Sequence, residues 1–187
     1  MAEVFLRRLS RWQADQQREA VADVFVEAYG MHGKEYRERQ VFLDAFAKDV
    51  QRTGFDMVVA GAGGTNAGNA YGYLVDRAGD WWRDVGPDVP WNIEELTVSG
   101  RVFAVAELMV VPSFRRMGIA GRLVAQLLER ASAALAVARL DPSDEAASAA
   151  FRSWGWVRLG SVAESDTTLP SIGTGTATDV WCRALRT

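Results

Sequence analysis

Two stretches of this chain carry residue types at spacings suited to chemistry. The first, Val110 to Arg130 (VVPSFRRMGIAGRLVAQLLER), is an apolar run stopped by Pro112, a basic turn containing glycine, and then a helical pattern. A helix that begins at such a turn has first N–H groups without intrahelical partners, and its dipole favours negative charge there. Gly118 removes the Cβ that would keep a ligand from the backbone. Ala120 and Gly121 keep the first turn slim, and Arg115 and Arg116 add positive charge. The combination reads as a cradle for a pyrophosphate; the plainer alternative is an ordinary strand-to-helix turn with solvated arginines. The second stretch, Asp76 to Gly100 (DRAGDWWRDVGPDVPWNIEELTVSG), sets Trp81, Trp82 and Trp91 among Asp80, Asp84, Asp88, Glu94 and Glu95. Indole faces attract ammonium groups and carboxylates add a negative field, which suits a cationic amine. The alternative is that the tryptophans cap an open end of the core and the carboxylates are solvated.

The elements that must position these residues follow from periodicity. "VFLRRL" reads as a short strand, and Ala20, Val21, Val24, Phe25 and Ala28 recur at helical spacing between about Arg11 and Met31. A second helix is expected from about Glu35 to Gln51, with Val41, Phe42, Ala45, Phe46 and Val50 on one stripe. "FDMVVAGA" and "NAYGYLVDR" read as antiparallel strands joined by "GAGGTNAGN", a connection expected to be longer than a two-residue hairpin. This loop lacks the Gly-Lys-Ser/Thr ending of a P-loop, so its reading is structural. Tyr71 and Tyr73 share one face of their strand and line either a pocket or the core. The Trp-rich segment, about residues 79–99, reads as an irregular insertion. "RVFAVAELMVV" is apolar on nearly every residue and is expected at the centre of the sheet. A helix from about Gly118 to Ser132, the strand "LAVARL", the helix "DEAASAAFRSW" and the strands "WVRLGSV" and "TDVWCRAL" complete the chain. The expectation is a mixed α/β sheet with helices on its faces in a single domain, residues 1–187.

Composition narrows the function classes. The chain has 187 residues, 49% of them hydrophobic, enough to bury a core. Acidic and basic residues number 24 and 21, so a net charge of −3 argues against a general binder of nucleic acid or of anionic membranes. One cysteine, Cys182, and one histidine, His32, leave no disulfide framework and no Cys/His set for a structural zinc. The N-terminus becomes charged before an apolar signal region can develop, and no run approaches a membrane span. A cytoplasmic protein without metal, membrane or nucleic-acid partner is expected, with dimerisation through the late strands plausible.

The spacing Arg115-x-x-Gly118-x-Ala120, set after "ELMVVP" and before an amphipathic helix, resembles the acyl-CoA motif of the GNAT superfamily of N-acetyltransferases. "LDPSDEAASAAFRSWGW" resembles that superfamily's closing strand and helix, with Phe151 where Tyr is usual and Gly155-Trp156 at the end. "AYGY" followed by "WW" is similar to a branch acting on small molecules. The resemblance implies a GNAT-like fold: a central, mostly antiparallel sheet with a splayed strand pair and helices on both faces. It implies acetyl-CoA as co-substrate. The pantetheine arm would pair with Leu108, Met109 and Val110, and the pyrophosphate would lie on the N–H groups of Arg115, Arg116, Met117, Gly118, Ile119 and Ala120, with Gly121 in the same turn. Asp144 occupies the position where Asn often touches the CoA. The implied chemistry is attack of a substrate amine on the thioester, with the protein supplying orientation, an oxyanion donor and a route for the proton.

The acid and base depart from the family pattern. Phe151 has no proton to give, and a thiolate of pKa about 8.5 leaves tolerably without one. Ala104 and Ala106 stand where Glu or His often serves as base, which leaves Glu107 as the candidate; strand alternation turns it to the opposite face unless a bulge re-aims it. Glu107 reads equally as a carboxylate bonded to neighbouring backbone or an arginine. Trp81, Trp82 and Tyr73 are the candidate acceptor-binding residues. His32, beside Gly33, either reaches the acceptor site or is solvated. Besides transfer to a small amine, the sequence admits transfer to a protein or peptide amine, and acyl-CoA binding without catalysis.

Overall fold

The computed structural model describes residues 3–30, 35–83, 85, 91–162 and 178–186. His32, Asp84 and Asp88, and the side chain of Trp91, lie outside the described residues. The strands are β1 (Val4–Leu9), β2 (Asp56–Ala62), β3 (Thr65–Leu74), β4 (Val102–Val110), β5 (Leu135–Leu140), β6 (Val157–Val162) and β7 (Thr178–Ala184). The helices are α1 (Arg11–Gln16), α2 (Arg18–Tyr29), α3 (Glu35–Val50), α4 (Trp91–Val98), α5 (Ile119–Glu129) and α6 (Glu145–Ser153). The strands form a mixed seven-stranded sheet in the order β1-β2-β3-β4-β5-β7-β6. Among the described residues no helix is long and apolar enough to cross a membrane.

The chain divides into two compact units, and β4 passes from one into the other. The first comprises residues 1–72 and 107–130. Ser10 starts α1 with a capping box, its hydroxyl accepting from the Gln13 N–H at 3.2 Å while Gln13 Oε1 accepts from the Ser10 N–H at 2.9 Å. The helix expected as one piece to Met31 is broken at Gln17, and α2 stops at Gly30, whose φ of 51° suits glycine. β1 and β2 pair antiparallel, with Arg8 opposite Val58 and Leu9 opposite Met57; β2 pairs β3 with Met57 opposite Tyr71. This register sorts the two faces. Arg8, paired with Asp56, also donates to the Gln126 carbonyl of α5, so α5 covers the face bearing Arg8, Asp56 and Val58. Tyr71 meets the Phe46 ring at 5.1 Å, and Phe46, Phe42 and Phe25 follow in a stack, so α2 and α3 cover the other.

The β2–β3 connection is tighter than expected. Ala62 pairs with Thr65 directly, leaving Gly63 and Gly64 as a two-residue turn with φ of 57° and 82°. Two positive φ values define a type I′ turn, which glycine pairs favour because its twist matches that of the strands. Asn66 to Gly68, taken from the sequence as loop, therefore belong to β3. Gly68 is where β3 lies tightly against β4: an ideal Cβ there would sit 2.3 Å from the Met109 carbonyl oxygen.

The second unit comprises residues 73–106 and 131–187. β4 and β5 run parallel from Val102 opposite Leu135 to Val105 opposite Ala138, where their ladder ends, and β7 lies between β5 and β6, antiparallel to both. All six residues of β5 are buried, as its unbroken apolar run requires. The insertion is more regular than its composition suggested. Asp80–Trp82 form a short 3₁₀ turn and Trp91–Val98 form α4, with Ile93 and Thr97 on its buried side.

Candidate active site

The strand-to-helix turn has the shape that its sequence predicts. After β4, Pro112–Phe114 make one 3₁₀ turn, and Gly118 then occupies the N-cap of α5 with φ 74° and ψ 6° and no side-chain cap. The Gly118 carbonyl accepts from Arg122 at 3.2 Å, which starts the helix, so the N–H groups ahead of it have no intrahelical acceptor. A Cβ built on Gly118 meets nothing within 4 Å, so its backbone faces open space. Arg116 has φ 61°, the one positive-φ residue besides glycine among those described, at a cost of roughly 1–2 kcal/mol. Two left-handed residues bracketing Met117 turn successive N–H groups into a concavity that, with the α5 dipole and Arg116, can hold an anion. Ile119, Leu123, Val124, Leu127 and Leu128 are buried and fix the helix beneath it.

Arg115 is used differently from the expectation that it adds mobile charge to the turn. Its Nε donates to the Val110 carbonyl at 3.0 Å and its Nη2 to the Ala28 carbonyl in the last turn of α2. Met109 turns its carbonyl toward Gly68, so by alternation Leu108 and Val110 direct theirs to the other edge of β4.

Glu107 lies on the face covered by α2 and α3, 5% exposed, and its Oε2 accepts from the Tyr29 hydroxyl at 3.5 Å. Burial pushes its carboxyl well above the usual carboxylate range; the charge of Asp49 pushes the same way and the Tyr29 hydroxyl opposes both. Asp49, 2% exposed on α3, is also raised by burial, against the pull of Arg52, whose Nε meets Asp49 Oδ1 at 2.9 Å. Such a carboxyl binds a proton tightly and releases it at higher pH than a solvated one, the property required of a proton acceptor working near neutrality. Tyr29, Asp49 and Asn69 went unseen in the sequence. Asn69 shares the Tyr71 face, is fully buried, and has no partner for either amide atom among the described residues. An Asn within an apolar strand was the available signal.

In the second unit, Asp144 caps α6, its Oδ1 accepting from the Ala147 N–H at 2.8 Å. Phe151 is buried in an aromatic cluster, 5.3 Å from the Trp154 ring and 5.0 Å from that of Trp156. Trp81 and Trp82 are 4% and 8% exposed. The Arg139 guanidinium lies over the Trp81 ring at 4.7 Å and donates to the Trp81 carbonyl, so a cation of the protein itself holds that aromatic face. Trp82 packs edge-on to Trp81 and donates its Nε1–H to Thr97 Oγ1 at 2.9 Å. Tyr73 is 1% exposed. Asp80 pairs with Arg83, and Glu94 and Glu95 are exposed on α4.

Comparisons with known proteins agree with this architecture. A search of curated protein sequences returns no match. Among solved structures, the chain is similar to an N-acetyltransferase from Staphylococcus aureus Mu50 (15% identity, TM-score 0.60, covering 99% of this chain and 100% of that one). It is similar to the ribosomal-protein-S18-alanine N-acetyltransferase of Escherichia coli (13%, 0.61, 99% and 96%) and to an IAA acetyltransferase of Bacillus cereus ATCC 14579 (14%, 0.61, 98% and 100%). Identities this low establish the fold alone. The model of the acetyltransferase (GNAT) family matches residues 18–156, a span that holds α2, Glu107, the turn from Arg116 to Gly118 and the α6 cap, and the chain therefore belongs to the GNAT acetyltransferase family.

Proposed function

We propose that this protein transfers an acetyl group from acetyl-CoA to the amine of a small, cationic acceptor. The observation that carries the reading is the turn from Arg116 to Gly118, which presents the uncapped N-terminus of α5 to open space. Its residues fit the co-substrate: the N–H groups from Arg116 to Gly121 would hold the diphosphate, and the backbone of Leu108 and Val110 would pair with the pantetheine amides. Bound there, acetyl-CoA supplies an activated acetyl thioester. Glu107 accepts the proton that the acceptor's ammonium group must lose before its nitrogen lone pair can attack. Glu107, in the ionised form that accepts the proton, favours a cationic acceptor, whereas the Trp81 face is already taken by Arg139. Phe151 supplies no proton to the departing thiolate, whose low basicity lets solvent do so. Asp144, offered by the resemblance as a CoA contact, spends one carboxylate oxygen on the cap of α6.

Thermal unfolding with acetyl-CoA, against free CoA, ATP and NADH, tests the cofactor half of this reading. At about a hundred times its dissociation constant the ligand adds roughly 2.7 kcal/mol. Stabilisation by the CoA compounds alone is expected, and none at all would return the turn to an ordinary connection. Thiol release with a panel of amines and with peptides then distinguishes acceptors. Peptide acetylation without small-amine turnover would favour the second reading, a protein N-acetyltransferase, and binding without release of thiol in any arm would leave a non-catalytic acyl-CoA binder.

A further inference from the structure

We propose that Arg115 is a positioning residue for the proton acceptor, holding the last turn of α2 against the end of β4 so that the Tyr29 hydroxyl stays on the Glu107 carboxylate. The inference rests on the reading of Glu107 as that acceptor. Its basis is a closed circuit of contacts within one compact unit. Arg115 donates to the carbonyls of Ala28 and Val110; Tyr29 follows Ala28 directly, and Val110 lies three residues beyond Glu107 on β4. The Tyr29–Glu107 bond, at 3.5 Å, closes the circuit. Ala28 offers one of the carbonyls that a helix C-terminus leaves without an intrahelical donor, and a guanidinium there also meets the negative end of the α2 dipole. α2 ends at Tyr29 and turns left-handed at Gly30, so no further turn of that helix holds Tyr29.

The first residue of the Arg-x-x-Gly-x-Ala spacing thus spends its guanidinium on the acceptor side of the turn, and the backbone N–H groups are left to hold the anion. Glu107 is faced by Tyr29 from α2 and by Asp49, with its partner Arg52, from α3; Tyr71 on β3 looks toward the same helix. Of these, Tyr29 is the group that favours the charged carboxylate by direct donation. When Tyr29 drifts, Glu107 keeps its proton to higher pH.

The test compares Arg115→Met, Tyr29→Phe and the double variant. Each single change is expected to move the acid limb of the kcat/KM profile upward by about half a pH unit, the weight of a long hydrogen bond to a charged acceptor. The double variant should move it no further, because both changes break one circuit. Arg115→Met should keep the acetyl-CoA dissociation constant within about twofold of the parent. A tenfold loss of acetyl-CoA affinity with an unmoved limb would overturn the proposal and make Arg115 a diphosphate ligand. The Glu107 carboxyl can also be titrated by carbon NMR in the cofactor-free protein, assigned by its loss in Glu107→Gln. That readout needs no turnover: if it moves in the variants while no acceptor is acetylated, the circuit stands and the proposed activity falls. If Arg115→Met does not fold, Arg115→Lys, which keeps the charge but not the paired donors, is measured in the same way, and an unmoved Glu107 titration there would equally sink the idea.

Discussion

Replacing Gly68 with alanine adds one methyl group where β3 lies tightly against β4. Its ideal Cβ would stand 2.3 Å from the Met109 oxygen, 3.1 Å from Val110 Cα and 3.3 Å from the Met109 carbonyl carbon. All three are backbone atoms, so no side chain can rotate away. The oxygen must retreat from 2.3 Å to beyond 3.0 Å, about 0.7 Å, in a strand anchored by the Val111 N–H bonded to the Ala67 carbonyl at 3.0 Å. Overpacking of this kind costs about 1–3 kcal/mol, against which alanine recovers about 0.5–1 kcal/mol of chain entropy. The expected net loss, about 1–2 kcal/mol, lowers Tm by roughly 2–8 °C in a chain of this size. Urea denaturation gives the free energy and calorimetry the Tm. Gly61→Ala is the control, since its Cβ would meet nothing closer than the Thr65 oxygen at 3.9 Å, and it should stay within about 0.5 kcal/mol of the parent. Because the displaced carbonyl lies within Leu108–Val110, acetyl-CoA affinity should fall in Gly68→Ala and not in the control. Equal stability of the two variants would refute the reasoning.

Gly118→Ala, at φ 74°, should lose about 1 kcal/mol to backbone strain without any clash, and Gly118→Asn less, yet both should weaken acetyl-CoA binding because either side chain enters the open space before the turn; titration calorimetry beside denaturation separates the two effects. Glu107→Gln should be more stable than the parent at neutral pH. The raised folded-state affinity of Glu107 for its proton stabilises the fold fully below about pH 4.3, and that contribution is lost as pH rises toward the folded value, so the variant's advantage should shrink on acidification in urea melts across pH 4 to 9. Thr97→Val removes the acceptor of the buried Trp82 indole N–H, held at 2.9 Å, and should cost about 1–3 kcal/mol by denaturation, with no change in the acetyl-CoA dissociation constant.

What was legible follows from the range over which each interaction acts. The turn from Arg116 to Ala120 is built from consecutive residues and from the free N–H groups that any helix start possesses, so its letters suffice to describe its geometry. The paired glycines at 63 and 64 carried a tight-turn signal that the long Gly- and Asn-rich stretch around them obscured. The insertion failed as a prediction because Asp, Pro and Trp suggested irregular chain. Eight of its residues nonetheless close α4, where Thr97 and Ile93, four apart, reach the buried side together.

Roles that depend on distant partners could not be read in advance. Glu107 and Tyr29 are 78 positions apart, Arg115 and Ala28 87, and Arg139 and Trp81 58. Strand alternation placed Glu107 on a face without saying what covers that face, and only the packing of α2 and α3 brought Tyr29 and Asp49 to it. The pair of indoles looked available to a ligand until Arg139 came to lie on one of them. The sequence by itself determined the order of the seven strands and most of the helices between them, the family and the strand-to-helix turn ahead of α5, because these are written in local periodicity and in the backbone preferences of Gly and Pro. Tertiary structure alone decided what each charged group does, since the worth of a carboxylate or a guanidinium depends on its burial and on the partners that folding brings within a few ångströms.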